Sequence, residues 1–558
     1  MTELLTADQM RALEQAAISR GDATGLDLMA RAGQGVVDAI LCRWPKLTKG
    51  VRTALVICGP GNNGGDGFVI ACLLRDAGWT VRVHLFGEAA NLPPDAKVNY
   101  DRWLQAGEVL PLKPEAVFTG SRPDLIVDAV FGIGLSRPVP VEIAQALDIA
   151  GMTFWKSPHK IKRVAVDCPS GLDLDTGMVP ADLAAVSKAG SAWPATLNTA
   201  DLTVTFHAPK LGHYLALGPA MCGKVQVVDI GLGDLGQEPQ IVGQTPAPQR
   251  TRLADPHIDG RDMTGRWLRS VMGKPDLPGH KFNFGHVAVF AGGVGRGGAA
   301  RLAARAALRS GAGVVTVICP PSALIENACQ LNAIMLRALK PDQPLAEVAD
   351  HRVTAFCMGP GMGVSQRTRD LVQEVLARRA GEFDLEVPVV VLDADALSSF
   401  AQNPDALFAR THARTILTPH EGEFERLFPD LSGSARASLS KVDAVRQAAA
   451  RAGCLVLLKG PDTVIADPQG GATVHAASAA RAVPWLATAG AGDVLAGLIA
   501  GLAAPTVGSS LFCAAELATY LHVEAARSFG PGLIAEDLPE ELPKLFREWG
   551  LHGARPEK

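Results

Sequence analysis

The sequence predicts an α/β fold in two domains, each built on a mostly parallel sheet with helices on its faces. Two observations carry that prediction. Short apolar, strand-like runs alternate with helical stretches along nearly the whole chain, which is the pattern of βαβ units. The alternation is broken once, near Gly231, by a stretch with little periodicity. With 558 residues, the chain has room for several domains of about 100–200 residues, or for two large ones.

The first block carries ALVIC, VRVHLF, LIVDAVF, RVAVDC, LTVTFHA and KVQVVDIG, and defines a domain expected over residues 1–235. Next comes GLGDLGQEPQIVGQTPAPQRTRLADPH, rich in Gly, Pro and Gln. That composition favours a linker, expected over 236–255. The second block, expected to fill 256–558, opens at GHVAVFAGG. It continues through GAGVVTVIC, FCMGPGMG, VPVVVLDADAL, RTILTPHEGEFERLF and CLVLLKGPDTVIAD, then ATAGAGDVLAGLIAGLAA and a helical tail.

Composition narrows the classes of function. Hydrophobic residues make up 47% and charged residues 20%, enough to bury a large core. Lys plus Arg number 53 and Asp plus Glu 57, a net charge of −4. That balance gives no overall reason to bind nucleic acid or an anionic membrane. The ten cysteines form no CxxC pair, and Cys58 and Cys319 sit in apolar runs. They read as buried small hydrophobes in a reducing compartment. The N-terminus lacks the basic and apolar regions of a signal peptide. The apolar stretch VLAGLIAGLAA is too short to span a bilayer, and a cytosolic protein is expected.

The first glycine cluster, Gly59-Pro-Gly61-Asn62-Asn63-Gly64-Gly65-Asp66-Gly67, directly follows a strand. Glycines there let the backbone turn tightly and approach a ligand, and a helix start would aim N–H groups at phosphate. Gly59, Gly61 and Gly64 satisfy GxGxxG with Glu88 after the next strand, so an ordinary Rossmann dinucleotide domain fits this loop alone about equally well. Three later pieces favour a different site. Asp128 ends one strand before Gly132-Ile133-Gly134-Leu135-Ser136-Arg137-Pro138. Asp167 ends another before Cys168-Pro-Ser170-Gly. Lys210 follows a third. In a parallel sheet such residues line one crevice. Each acid taken alone could cap a turn.

GPGNNGGDGFVIA, VDAVFGIGLSRP, VDCPSGLDLDTG and TFHAPKLGHY, in that order, resemble the NAD(P)H-hydrate epimerase family over roughly residues 1–235. The resemblance implies a Rossmann-like three-layer domain. It implies that Asn62, Asn63, Gly64, Gly65, Asp66 and Gly132 to Pro138 hold a hydrated nicotinamide nucleotide. It implies potassium on Asn63, Asp128 and Ser170, and Asp167 contacting the nicotinamide ring as general acid/base, with Lys210 assisting. Inverting carbon 6 needs ring opening and reclosure or loss and re-addition of water; both need a shuttled proton, and the sequence does not choose between them. Cys168 stands where an aliphatic residue is common.

The second block also has a GxGxxG match, Gly293, Gly295 and Gly298, but no acidic residue ends its next strand. Its distinctive piece is Ala487-Thr-Ala-Gly490-Ala491-Gly492-Asp493, opening a long apolar helix. Backbone N–H groups at such a start form an anion hole, and an aspartate beside phosphate can accept a hydroxyl proton. Asp493 could equally be a helix-start acid favoured by the macrodipole. No GxxxxGK[ST] occurs, which disfavours a Walker-type NTPase.

HKFNFG, FAGGVGRGGAARLAARAALRSGAGVVTV, MGPGMG, VLDADAL, LTPHEGE, LLKGPDTVIAD and ATAGAGDVLAG resemble the ribokinase-like superfamily, and within it the ADP/ATP-dependent NAD(P)H-hydrate dehydratases. By resemblance, Ala299, Gly363, His420 and Asp493 contact the hydrated nucleotide. Lys459, Gly460, Pro461, Asp462, Thr463 and Gly492 contact ADP or ATP. Asp493 is the base and magnesium is expected. The family reaction phosphorylates the carbon-6 hydroxyl and eliminates phosphate. Asp393 and Asp395 read as metal-linked acids or as turn caps, and Lys281 as a phosphate ligand or an exposed lysine. HKFNFG stands in place of HKGDFG, Ala491 where Thr is common, and Glu421 where Pro is common.

The combined expectation is a bifunctional repair enzyme acting on the small molecules NADHX and NADPHX, as a homo-oligomer, without nucleic acid or membrane. A small-molecule kinase fused to a nucleotide-binding domain, and a non-catalytic first domain, are the competing readings.

Overall fold

The computed structural model describes residues 2–114, 122–135, 138–140, 143, 145–147, 161–179, 198–233, 249–258, 261–262, 264–272, 279–378, 387–436, 439–505 and 510–551. The chain divides into two compact units, Glu3–Pro239 and Gln240–Lys558.

In the first unit seven strands form one sheet: β1 (Thr53–Cys58), β2 (Thr80–Leu85), β3 (Val109–Pro111), β4 (Leu125–Ala129), β5 (Lys162–Val166), β6 (Leu202–Phe206) and β7 (Lys224–Val228). Their order is β3-β2-β1-β4-β5-β6-β7, and every neighbouring pair is parallel. Buried runs such as Leu55, Val56 and Ile57 in β1 and all of β4 explain the placement. A central parallel strand is covered on both faces, so it reads as continuous apolar sequence rather than as alternation. The helix Ala7–Arg20 starts in a reciprocal cap between Thr6 and Gln9 and stops at Gly21 with φ +78°, the left-handed residue that ends helices.

The second unit holds β8 (Thr251–Leu253), β9 (His286–Phe290), β10 (Val314–Cys319), β11 (Met335–Ala338), β12 (Ala355–Met358), β13 (Val389–Leu392), β14 (Thr415–Leu417), β15 (Leu455–Leu458), β16 (Asp462–Ala466) and β17 (Ala472–Ala476). They run β8-β17-β16-β15-β14-β13-β12-β9-β10-β11. Pairing is parallel from β11 to β15, and β16 is antiparallel to both of its neighbours. The order therefore reverses at β9/β12 here and at β1/β4 in the first unit, the positions where open α/β sheets hold ligands.

One expectation fails. Residues 251–253, placed by composition in a linker over 236–255, form β8, fully buried and parallel to β17. Arg252 makes the difference. Its guanidinium donates to both Glu516 carboxylate oxygens at 2.9 and 2.5 Å, within the core, so a segment that looks polar in sequence is interior. Residues 234–248 of the same stretch lie outside the described residues.

Candidate active sites

The first site forms where β1 and β4 diverge. The chain leaves β1 through Gly59 and enters the helix Asn62–Asp76 without a side-chain cap. A Cβ on Gly59 would lie 1.9 Å from the Val130 carbonyl oxygen, and one on Gly64 2.0 Å from that of Gly59. Glycine is thus required for the loop to close against β4. The uncapped helix start leaves backbone N–H groups for a ligand.

Asp167 follows β5 with φ +66°, an uncommon conformation for a non-glycine residue and one found at functional sites. Its Oδ1 accepts from Thr205 Oγ1 at 2.8 Å and from the buried Lys210 Nζ at 3.2 Å. Its Oδ2 accepts from the Ile133 N–H at 3.0 Å. Lys210 Nζ also donates to Thr205 Oγ1 and to the Phe206 carbonyl. Burial pushes the Asp167 carboxyl up, but Lys210, His213 and the Thr205 hydroxyl outweigh it and hold it below the usual range. His213 Nδ1 accepts from the Lys210 N–H at 3.0 Å, so its proton sits on Nε2 and is donated to the Asp167 carbonyl at 2.9 Å. Burial, then the Lys210 charge, push His213 down to about 4, which keeps that neutral tautomer. Asp167 is therefore a buried carboxylate held in place in its ionised form.

A Cβ on Gly132 would stand 3.0 Å from Asp167 Oδ2 and 3.3 Å from Asn63 Oδ1, so these two side chains flank the second loop. Ile133, Gly134, Leu135 and Pro138 are described, while Ser136 and Arg137 lie outside the described residues. Asp128 is buried and accepts from Ser170 Oγ (2.6 Å), the Ser170 N–H (2.8 Å), the Val130 N–H (3.2 Å) and Asn198 Nδ2 (2.5 Å). Burial raises its pKa and these neutral donors pull it back in part. Asn63 Nδ2 is buried without a partner. A buried carboxylate served only by neutral donors, with the Ser170 hydroxyl against it, offers the oxygen atoms that a hard cation takes, whereas the unpartnered end of Asn63 is an N–H donor and needs an acceptor.

The second site lies around Asp493. Gly490, with φ +90°, precedes the helix Ala491–Ala503. A Cβ on Gly492 would be 3.5 Å from Lys459 Nζ and 4.0 Å from Asp393 Oδ2. Lys459 pairs with Asp393 at 2.6 Å. Burial works against its charge, but Asp393 and Glu423 outweigh that and hold it protonated. Burial, then Asp393, push Asp493 up to about 6 against the pull of Lys459. Asp395 accepts the Gly363 N–H at 2.7 Å. Gly361 brings the Arg296 carbonyl and Ala299 into contact with the same loop. Lys459 to Pro461 form the turn between β15 and β16, and Thr463 Oγ1, in β16, closes it by donating to the Gly460 carbonyl. His420 caps the helix Glu421–Leu427 with Nδ1 accepting from Gly422, and its ring is half exposed. Among the described residues no three metal-ligating side chains converge. Asp393 and Asp493 lie together at the helix start, and one or two carboxylates are what magnesium takes alongside its waters and substrate phosphate.

The two blocks match known families separately. The family described as YjeF-related protein N-terminus matches residues 25–212, and that described as NAD(P)H-hydrate dehydratase matches residues 287–544. The bifunctional NAD(P)H-hydrate repair enzyme Nnr of Moorella thermoacetica is 34% identical over 565 residues, spanning 98% of this chain and 96% of that protein. The chain belongs to the bifunctional NAD(P)H-hydrate repair enzymes. The Nnr protein of Coxiella burnetii is 32% identical, spanning 98% of this chain and 99% of its own. The NAD(P)H-hydrate epimerase of Rhodobacter capsulatus is 46% identical over 218 residues, 38% of this chain and 92% of that protein.

In this repair-enzyme chain Asp128, Asp167, Ser170 and Lys210 converge as strand-end residues should. Asp393 and Lys459 join Asp493. His280 and Lys281 lie in an exposed turn before β9. Thr205, His213, Glu423 and His522 escaped the sequence reading. His213 sits inside TFHAPKLGHY and Glu423 inside LTPHEGE, so spacing to Lys210 and His420 could have found them. His522 lies mid-helix in the apolar tail, where no local pattern points to it. Its Nε2 nevertheless holds the Ala491 carbonyl at 2.8 Å, and burial pushes its pKa down to about 4.

Proposed function

We propose that the chain repairs hydrated NADH and NADPH, the first unit interconverting the R and S epimers at nicotinamide carbon 6 and the second dehydrating the S form with ADP or ATP. The observation that carries it is that one chain holds two separate carboxylates tuned oppositely. Asp167 is held ionised by Lys210, and Asp493 is lifted toward neutrality beside a helix start.

In the first unit Asn62 to Asp66 and the Gly132 loop would hold the nucleotide, with Asp167 at the ring as base. Potassium, with Asn63, Asp128 and Ser170 as its ligands, would supply positive charge next to the phosphate-binding loop. In the second unit Lys459 to Thr463 and Gly492 would hold the adenine nucleotide, and Ala299, Gly363 and His420 the hydrate. Asp493 takes the proton of the carbon-6 hydroxyl, whose oxygen attacks the terminal phosphorus. Lys459 and the N–H groups at Gly490–Gly492 steady the charge that develops. Phosphate then departs from carbon 6 with loss of the carbon-5 proton, which restores the ring. Magnesium would neutralise charge on the transferring phosphoryl group.

The test is recovery of absorbance at the reduced-nicotinamide band from mixed epimers with magnesium and ADP or ATP. Complete recovery is expected. Asp493→Asn should abolish it, and Asp167→Asn should strand one epimer. No recovery with either nucleotide sinks the dehydratase reading and favours a kinase whose product keeps its phosphate.

A further inference from the structure

Against the first glycine loop, at Asn62 and Asp66, lies a cavity of about 140 Å³. Its walls include Leu28, Phe206 and Ile230, and its polar lining includes Glu14, Asn62 and Asp66. A cavity of about 150 Å³ takes one six-membered ring. The wall is tied to Asp167 twice. The Phe206 carbonyl accepts from the Lys210 ammonium that also binds Asp167. Arg11, one turn before Glu14, donates to the Ile133 carbonyl at 2.6 Å, while the Ile133 N–H binds Asp167. The strand-like start of the chain is fastened to the same place, since Leu5 exchanges backbone hydrogen bonds with Pro209 and Leu211 on either side of Lys210. The helix Ala7–Arg20 is thus a wall of the site.

Two carboxyls face this space without hydrogen-bond partners among the described residues. Asp66 is 9% exposed, and Glu14 is half-buried. Burial raises both, and the Asp167 charge raises them further. Lys210 and Arg11 pull Glu14 back only in part. Asp95 also faces the cavity. Glu14 lines the cavity with its carboxyl pushed toward the protonated form, while Asp167 is held on the ionised side, and carboxyls tuned apart in this way divide the acid and base roles.

We propose that Glu14 is the second catalytic residue of the epimerase site, the proton donor that works with Asp167 as base. This rests on the epimerase reading above. Asp167 removes the proton of the carbon-6 hydroxyl, the bond from carbon 6 to ring nitrogen breaks, and its electron pair goes to nitrogen. Glu14 protonates that nitrogen, leaving an open-chain aldehyde at carbon 6. The aldehyde rotates, and nitrogen attacks its other face. Nitrogen returns its proton to Glu14, and Asp167 returns its proton to the oxygen. Both residues end as they began, with no water consumed.

The test measures epimerisation by the full-length chain in the absence of nucleotide. Glu14→Gln should lower kcat by about 10²–10⁴-fold, the range of general acid catalysis, with KM changed only a few-fold. Glu14→Asp should recover part of the rate, and dehydration of the S hydrate should stay at the wild-type level in both variants. In ¹⁸O-water the wild-type product should keep its original hydroxyl oxygen at early times. Wild-type kcat in Glu14→Gln overturns the proposal, as does obligatory ¹⁸O uptake. If Asp167→Asn also keeps its rate, the epimerase reading itself fails; if only Glu14→Gln does, the reading stands and the role of Glu14 is lost.

Discussion

Asp493 and Asp167 differ in what surrounds them, and pH should separate the two activities. Asp493 has carboxylates as neighbours and a pKa pushed to about 6; Asp167 has a buried ammonium and lies below the ordinary range. A base works when deprotonated. Dehydration should therefore be flat above about pH 7 and fall about tenfold per unit below pH 6, while epimerisation stays on through pH 5. Separate pH–rate profiles check this, and a dehydration rate unchanged from pH 7 to 5 would remove Asp493 as the base. Both aspartates were legible in the sequence because each sits at a strand end or helix start, where local pattern and chemistry coincide. Glu14 and His522 were not. Glu14 shares its cavity with Asn62 and Asp66 of a later loop, and His522 holds the Ala491 carbonyl from the following helix; nothing local in MRALEQAA or LATYLHVEAA marks either contact.

At the level of elements, the helix of Asp493 is positioned by glycine. A Cβ on Gly497 would stand 2.1 Å from the Ala303 carbonyl oxygen, and one on Gly501 2.5 Å from that of Ala307. The helices Ala491–Ala503 and Gly298–Arg309 therefore touch backbone to backbone, small residues four apart on each. The first opens with the turn proposed to hold phosphate and the second carries Ala299 in its first turn, so their separation sets the width of the proposed site. Gly497→Ala forces them apart against rigid main chain, where overpacking costs about 1–3 kcal/mol. The expected result is a lower melting temperature for the second unit and slower dehydration, with epimerisation unchanged; full dehydratase activity and stability would show that the contact yields freely. The sequence showed that VLAGLIAGLAA belongs to a long apolar helix, because composition is a local property. It could not show that this helix meets Gly298–Arg309, and it hid β8, because the partner that makes Arg252 an interior residue lies 264 positions away.

Each unit has its own sheet, wholly parallel in the first and mostly parallel in the second, and its own apolar core, and each sheet has its own reversal of strand order. The two-block organisation was legible because the strand–helix rhythm stops and restarts. Each proposed site is completed by residues of one unit: Asp167, Lys210, Ser170 and Glu14 in the first, Asp493, Lys459, Asp393 and Glu423 in the second. A hydrate inverted in one unit is a free small molecule, chemically the substrate of the other. Chains carrying Asp167→Asn and chains carrying Asp493→Asn should therefore complement each other when mixed. Alone, the first leaves the R epimer unrecovered and the second recovers nothing. Together, with magnesium and ADP or ATP, they should convert both epimers completely, at a rate that rises with the concentration of either variant. Recovery that stalls at the S fraction in the mixture would mean the inverted hydrate passes only between sites on one chain, and the independence of the units would have to be abandoned.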